Sequence, residues 1–246
     1  MRYMGGKYRT AKETARICNL ALAHSPPGTA YVEPFCGALG VAQYVNPTGP
    51  KILGDINTYL IAMWKAVQAG WIPPSEVSED LYREVKANKD RFPPELVAFI
   101  GFGCSFSGKF FGGYIKSHES NKDPIGASAK RVRERSSVCR SASFHLGDYK
   151  AISTPPGSVI YCDPPYQETT GYSDGSKSVP FDSRAFWQWC VGMSEIGNTV
   201  IVSEYSETPP VPCVQLWAVE GKQWLGEHKH TVSERVFLVK HPEDRF

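Results

Sequence analysis

The sequence lacks the features that would place it in a membrane or outside the cell. No apolar run approaches the ~20 residues that a membrane-spanning helix needs, and the start, MRYMGGKYRT, lacks the apolar centre of a signal peptide. The seven cysteines are an odd number and include no C-x-x-C pair, which argues against a disulfide framework and a structural zinc site. We therefore expect a soluble, intracellular protein with reduced thiols, no bound metal and no membrane partner.

Two common nucleotide-binding signatures are also absent. Neither G-x-G-x-x-G nor G-x-x-x-x-G-K-[ST] occurs, so dinucleotide and triphosphate ligands are disfavoured. The net charge of +2 is too small to indicate a polyanion partner by itself, but it is unevenly distributed. Residues 104–140 carry eight Lys or Arg against three Asp or Glu, a local charge of +5. Composition alone favours a solvated face over a phosphate-binding surface for this segment.

The hydrophobic pattern indicates an α/β fold. Short apolar segments typical of buried strands occur at residues 30–35, 51–54, 144–146, 158–162, 198–203 and 234–239. Helical patterns alternate with them at 10–23, 40–44, 58–69 and 183–194.

The α/β rhythm is interrupted between residues 70 and 143. This stretch contains paired prolines, a charged helical pattern at 76–90 and a Gly/aromatic segment at 101–114. A chain of 246 residues fits one α/β domain with a smaller insertion. We predict that residues 1–65 and 144–246 form one sheet with helices on both faces, and that 66–143 form a mostly helical insertion.

The sharpest chemical signal is D-P-P-Y at residues 163–166, directly after a predicted strand. Ligands bind at the carboxyl ends of strands in an open α/β sheet. The two prolines fix φ and remove two backbone donors, which leaves a carboxylate and carbonyl oxygens that accept hydrogen bonds. This surface suits an amino group that is positioned through its two N–H donors, with Tyr166 stacked on a base. The plainer interpretation is a strand-ending turn with a packed tyrosine.

Two further segments gain weight when they are combined with D-P-P-Y. The segment E-P-F-C-G-A-L-G at 33–40 is a strand followed by a glycine turn, where a ligand can approach the backbone closely. Asp55 ends the next predicted strand, a position from which a carboxylate can accept hydrogen bonds from ribose hydroxyls. The segment Y-M-G-G-K at 3–7 is uninformative alone, because termini are often poorly ordered.

Five ordered motifs resemble the Dam-type DNA adenine methyltransferases of the D12 class, alpha group, in a phage-like form. They are Y-M-G-G-K at 3–7, E-P-F-C-G-A-L-G at 33–40, D-I-N at 55–57, G-D-Y at 147–149 and D-P-P-Y at 163–166. The resemblance implies a Rossmann-like methyltransferase sheet with an inserted target-recognition region. It also implies direct methyl transfer from S-adenosylmethionine to N6 of a flipped adenine in double-stranded DNA. Such an enzyme would work in the cytoplasm of a bacterial or phage-infected cell, and no obligatory protein partner is evident.

The resemblance also implies roles for single residues. Asp55 would hold the cofactor ribose, Phe35 and Tyr149 would flank the cofactor, and Asp163 with the Pro164 carbonyl would accept the target amino group. The implied cofactor-binding residues are Tyr3, Lys7, Glu33, Phe35, Gly37, Asp55, Asp148, Tyr149 and Asp163. The implied catalytic residues are Asp163, Pro164, Pro165 and Tyr166.

The insertion departs from members that recognise GATC, which carry an asparagine- and arginine-containing hairpin there. The Gly/aromatic segment of this chain is similar to that of many phage-encoded methyltransferases. Given the resemblance, the local +5 now favours contact with the DNA backbone. The predicted DNA-binding residues are Ser107, Lys109, Lys116, Arg131, Arg133 and Arg135.

Several other functions stay open at this point. An N-methyltransferase of RNA or of a protein glutamine amide typically carries N-P-P-Y, and Asp163 favours DNA instead. A catalytically decayed DNA-binding protein is a second alternative. Cys213 after a proline superficially resembles the nucleophile of a cytosine methyltransferase, but a core or loop cysteine fits better. His228 and His230 fit a solvated turn better than a metal site, since no third ligand is indicated.

Overall fold

The molecule is built around one twisted seven-stranded sheet. A computed structural model describes residues 1, 3–116, 123–165, 181–205, 208–225 and 228–241. The strands run in the order β3-β2-β1-β4-β5-β7-β6. Their bounds are β1 Tyr31–Glu33, β2 Lys51–Asp55, β3 Ala142–Leu146, β4 Val159–Cys162, β5 Thr199–Glu204, β6 Cys213–Leu225 and β7 His228–Val239.

Five parallel strands form the part of the sheet that carries the motifs. β1 pairs with β2 on one side and β4 on the other, and Tyr31 lies opposite both Lys51 and Val159. β3 and β5 extend the parallel ladder outward, and β7 then runs antiparallel to β5. β1, β2 and β4 are buried along their whole length; most of their residues are apolar, and the charged residues Glu33, Lys51 and Asp55 stand at strand ends.

Helices cover both faces of this sheet. Their bounds are α1 Ala11–Ala23, α2 Thr58–Gln68, α3 Glu79–Ala87, α4 Pro94–Ala98, α5 Pro124–Glu134, α6 Ser136–Ser141 and α7 Ser183–Glu195. Alternate strand residues point to opposite faces, so Tyr31 and Tyr161 share a core with α1 and α2, whereas Val32 and Ile160 pack with α7. The predicted α/β fold with helices on both faces is confirmed.

Residues 66–141 are helical apart from turns and one isolated bridge, in the part of them that the structure describes. Phe99 and Ile100 of this stretch share a hydrophobic core with Trp64 of α2 and Leu53 of β2. The insertion therefore packs directly on one face of the sheet. Strand β3 begins at Ala142 and lies at the sheet edge. The division into 1–65 with 144–246 and 66–143 stays a prediction.

The carboxyl-terminal hairpin corrects the sequence-based assignment. Only a strand at 234–239 is predicted, but β7 starts at His228 and pairs with β6 over its length. The predicted turn at His228 and His230 is wrong, because both lie within β7. Polar and charged residues before Val236 interrupt the apolar pattern of β7, and β6 is the edge strand of the sheet. A short 3₁₀ turn at Ala42–Tyr44 replaces the helix predicted there.

No helix in the described ranges combines the length and the apolar character needed to cross a membrane.

Candidate active site

Three carboxyl groups gather where the central parallel strands end. Glu33 is the last residue of β1, Asp55 is the last residue of β2, and Asp163 directly follows β4. Since these strands are neighbours and parallel, their carboxyl ends lie at one edge of the sheet. The fold thus brings together three predicted site residues that are separated by up to 130 positions.

Asp55 is fixed by backbone donors. Its Oδ2 accepts the Gly37 N–H at 2.9 Å, and its Oδ1 accepts the Asn57 N–H at 2.8 Å. Burial raises the Asp55 pKa to about 6, although these backbone hydrogen bonds favour the ionised form and oppose that shift. Each carboxylate oxygen has a second lone pair, so a bound hydroxyl group can still donate to it.

The glycine turn after β1 requires glycine at position 37. Gly37 has φ of +44°, and a Cβ on it would lie 3.1 Å from the Tyr3 ring. The Trp64 indole N–H donates to the Gly37 carbonyl at 2.8 Å, which fixes the turn from below. Tyr3 is buried and its ring packs 5.2 Å from that of Phe102. The amino-terminal segment therefore lies directly over the glycine turn, as a cofactor-binding cover would.

Glu33 lies beneath the site and is fully buried. Its Oε2 accepts the Tyr31 hydroxyl at 2.6 Å. Burial raises the Glu33 pKa to about 8, with Asp163 and Asp55 raising it further against the effects of Tyr31 and Lys51. A carboxyl group with this pKa is largely protonated at neutral pH, which reduces repulsion at an edge that already carries two acids.

Lys7 brings a positive charge to the edge where the parallel strands end. Its Nζ lies 2.8 Å from Oδ1 of Asp163 and 3.1 Å from Oε1 of Glu234, and the side chain is only 5% exposed. Burial alone would lower the Lys7 pKa, but attraction by Asp163 and Glu234 outweighs burial and raises it. The Thr10 hydroxyl also donates to Oε1 of Glu234 at 3.0 Å.

Sequence reasoning missed Glu234 and Thr10. No motif includes Glu234, because it reaches the site only through the antiparallel pairing of β7 with β5. A usable signal is the first residue of the strand predicted at 234–239. In a strand that runs antiparallel to β5, this residue, Glu234, lies at the edge that carries D-P-P-Y.

The predicted aromatic walls are in contact with each other. The Phe35 and Tyr149 rings are stacked with centroids 5.4 Å apart, and Phe186 packs against both. A flat cofactor group would therefore lie beside this pair or separate it. The Asp148 carboxylate accepts the Lys150 N–H at 3.0 Å and is exposed.

The rest of the catalytic motif is only partly described. Pro164 is buried and Pro165 is half-buried, which is consistent with a rigid loop after β4. Tyr166 lies outside the described residues, so its stacking role stays a prediction. Cys213 starts β6, and burial raises its pKa to about 12, which is unsuitable for a thiolate nucleophile.

The predicted DNA-binding residues fall into three groups. Ser107 and Lys109 are exposed on a turn where Ser107 has φ of +54° and Ser105 bridges Tyr114. Lys116 is exposed but its Nζ lies 2.7 Å from Oε2 of Glu79.

The three predicted arginines at the carboxyl end of α5 and just after it do not all reach the surface. Arg133 is exposed and Arg131 half-buried, whereas Arg135 is buried and donates to the Arg131 carbonyl at 2.8 Å. The assignment of Arg135 to DNA is therefore wrong in this structure: the side chain turns back onto its own helix and leaves no exposed guanidinium.

The amino-terminal segment that covers the strand ends also contacts the insertion directly. The Met4 N–H donates to the Gly108 carbonyl at 3.1 Å, next to Ser107 and Lys109. The amino-terminal segment thus contacts the glycine turn on one side and the predicted DNA-reading turn on the other.

Known proteins that are similar to this chain include DNA adenine methylases. Residues 3–99 match the model of the D12 class N6 adenine-specific DNA methyltransferases. DNA adenine methylase of Serratia marcescens is 27% identical over 192 residues, 68% of this chain and 66% of that protein. The Escherichia coli K12 enzyme of that name is 28% identical over 195 residues, 68% of this chain and 64% of its own.

The matched region does not include the whole of these relatives. The chain spans 64–66% of the length of the curated relatives named here. Among solved structures, a chain of Escherichia coli described as a methyltransferase, yhhF, aligns over 98% of both chains at 9% identity with a TM-score of 0.37, too distant a likeness to support an argument. Over residues 3–99, the family match confirms the resemblance to D12-class adenine-N6 DNA methyltransferases that the motifs predicted, whereas G-D-Y and D-P-P-Y lie outside the match.

Proposed function

We propose that the protein transfers a methyl group from S-adenosylmethionine to the N6 amino group of adenine in double-stranded DNA. One observation carries the proposal: the family match covers Tyr3, Lys7, Gly37 and Asp55, and the fold gathers these residues with Asp163 at a single edge of the sheet. A negatively charged edge with one buried lysine suits a cofactor that carries a sulfonium cation and a carboxylate.

The residues present fit such a cofactor. Asp55 offers two fixed carboxylate oxygens for ribose hydroxyls, and the Gly37 N–H that donates to it holds the carboxylate in place. When bound, S-adenosylmethionine supplies the methyl group. Glu33, largely protonated beneath the site, supports the strand end without adding a full charge.

The catalytic task of the protein is orientation. Asp163 and the Pro164 carbonyl would accept the two N–H groups of the target amine, which directs the nitrogen lone pair outward. Lys7 holds one Asp163 oxygen at 2.8 Å and so restricts rotation of the carboxylate. No covalent bond between enzyme and base is needed for this transfer, which agrees with the unreactive thiol of Cys213.

The basic insertion supports DNA as the substrate. Exposed Lys109 and Arg133 and half-buried Arg131 lie in the +5 segment, and phosphate contacts of this kind are independent of base sequence. Methylation of cellular or phage DNA would take place in the cytoplasm of a bacterial or phage-infected cell. We infer no obligatory protein partner.

A labelling experiment tests the proposal. The purified chain is incubated with methyl-labelled S-adenosylmethionine and, in parallel, with duplex DNA, RNA or a protein extract. We expect label in duplex DNA only, recovered as N6-methyladenine after digestion to nucleosides. Label in RNA or in glutamine would establish one of the alternative N-methyltransferases. DNA binding without label in any arm would establish a decayed enzyme.

A further inference from the structure

Lys7 is shared between two carboxylates, and only one of them belongs to a motif. Asp163 and Glu234 lie 2.8 and 3.1 Å from the same ammonium group. Both carboxylates are mostly buried, with side chains 15% and 14% exposed. Charges in such surroundings interact more strongly than charges in water.

The pairing of β7 with β5 places Glu234 beside Lys7. β7 pairs antiparallel with β5, and Glu204 at the carboxyl end of β5 lies opposite Arg235. The neighbouring residue, Glu234, is therefore at the same edge as Asp163. The Thr10 hydroxyl, just before α1, donates to the Glu234 oxygen that faces Lys7. This hydrogen bond holds the carboxylate toward the lysine.

The balance of charge at Asp163 depends on Glu234. Lys7 with Asp163 alone is neutral, whereas Lys7 with both carboxylates carries a net charge of −1. During methyl transfer the target nitrogen forms a bond to the methyl group with its lone pair, while sulfur keeps the electrons of the bond that breaks. The nitrogen carries positive charge until it loses a proton to water. A net negative charge nearby stabilises that nitrogen and the sulfonium that precedes it.

We propose that the charge of Glu234 offsets that of Lys7, which keeps the edge around Asp163 net negative and so favours the cationic cofactor over its neutral product. This proposal rests on the function proposed above. It predicts a preference for S-adenosylmethionine over S-adenosylhomocysteine that depends on Glu234 although Glu234 belongs to no cofactor motif.

The test replaces Glu234 by glutamine and measures both ligands. Calorimetric titration should show S-adenosylmethionine binding weakened about tenfold and S-adenosylhomocysteine binding changed less than twofold. The kcat for DNA methylation should fall about tenfold or more, with the KM for DNA unchanged. Glu234→Asp keeps the charge and should restore most of the ligand preference. Glu220→Gln on β6 makes the same charge change at an exposed position, so it should alter none of these values.

A double-mutant cycle tests whether the net charge of the edge sets the ligand preference. If it does, Glu234→Gln should lower the preference for S-adenosylmethionine by a similar factor in the wild-type and the Lys7→Met backgrounds. Equal weakening of both ligands by Glu234→Gln, or no effect of Glu234→Gln in the Lys7→Met background, would overturn the proposal.

Two further results keep this test separate from that of the proposed function. A wild-type protein that neither binds S-adenosylmethionine nor labels DNA would contradict the proposed function itself. If Glu234→Gln does not fold, Thr10→Val replaces it, since this variant removes one hydrogen bond and no charge. It should lower the preference for S-adenosylmethionine over S-adenosylhomocysteine two- to threefold, because the Glu234 carboxylate is no longer held toward Lys7, and an unchanged preference would refute the role of Glu234.

Discussion

The edge where the parallel strands end and the basic insertion at 104–140 differ in how their charged groups are held. At the edge, Asp55, Asp163 and Lys7 are buried or nearly so and are tied to named backbone or side-chain partners. In the insertion, Lys109 and Arg133 are exposed. Exposed charges retain water and rotamer freedom, so folding does little to fix them. The fold therefore holds the charged groups at the edge in place, whereas the exposed cations of the insertion keep their rotamer freedom.

The largest expected effect is at Asp163. Asp163→Ala removes the acceptor for the target amine and leaves Lys7 with Glu234 alone, so methyl transfer should fall by at least a hundredfold, or about 3 kcal/mol. Steady-state kinetics with labelled cofactor measure the loss, and circular dichroism checks folding. Asp80→Ala, at a 95% exposed position, is the matched control and should keep full activity. A folded Asp163→Ala protein with normal turnover would show that Asp163 is not needed for methyl transfer.

Glu33 tests whether burying a carboxyl group at this edge makes the free energy of unfolding depend on pH. Its pKa is raised from 4.5 to about 8, so between these values the folded chain keeps a proton that the unfolded chain releases. The free energy of unfolding should therefore fall as the pH rises from 4.5 to 8, by a few kcal/mol. Glu33→Gln, which can still accept from Tyr31, should flatten this dependence. Urea titrations across that pH range give the answer, and an equal slope in both proteins would contradict a protonated Glu33.

Asp55 is the residue at this edge that we expect to bind the cofactor ribose. Asp55→Ala should weaken S-adenosylmethionine binding by about 1.5–3 kcal/mol, because a charged acceptor of ribose hydroxyls is lost. DNA binding should change little. Since burial raises the Asp55 pKa to about 6, cofactor affinity should also decline below that pH as the carboxylate is protonated. Calorimetry at pH 5 and pH 8 measures both effects, and an affinity unaltered by the substitution would exclude Asp55 from the ribose site.

The same contrast explains what could be predicted from the sequence. Strand-end residues such as Asp55 and Asp163 follow short apolar runs, and parallel strands gather their carboxyl ends, so pattern and topology suffice. Glu234 begins the strand predicted at 234–239, but its place at this edge depends on the antiparallel pairing of that strand with β5, which the apolar pattern does not reveal. Arg135 was misassigned because composition counts charge without showing which side of a helix turn each residue occupies.

The last and smallest effects belong to the insertion. Replacing Arg131 and Arg133 together by alanine should weaken binding to all duplex sequences alike. It should also lower the slope of log affinity against log salt by about one unit for each lost phosphate contact. Arg184→Ala is the matched control, because Arg184 is exposed and lies on α7, which packs against the opposite face of the sheet. Arg135→Ala should reduce thermal stability without changing the slope, since the side chain is buried.

Lys109 and Ser107 should respond differently, because they lie on the turn that contacts Met4 rather than on α5. Replacing either by alanine should change which sites are methylated, as read by sequencing that detects modified bases, while the salt slope shifts little for Ser107→Ala. Phosphate contacts fix register and base contacts specify sequence, so the two sets of variants separate the two tasks. A double arginine variant with the wild-type slope would mean that the positive segment is a solvated face, and the turn alone would then remain as the DNA-reading element.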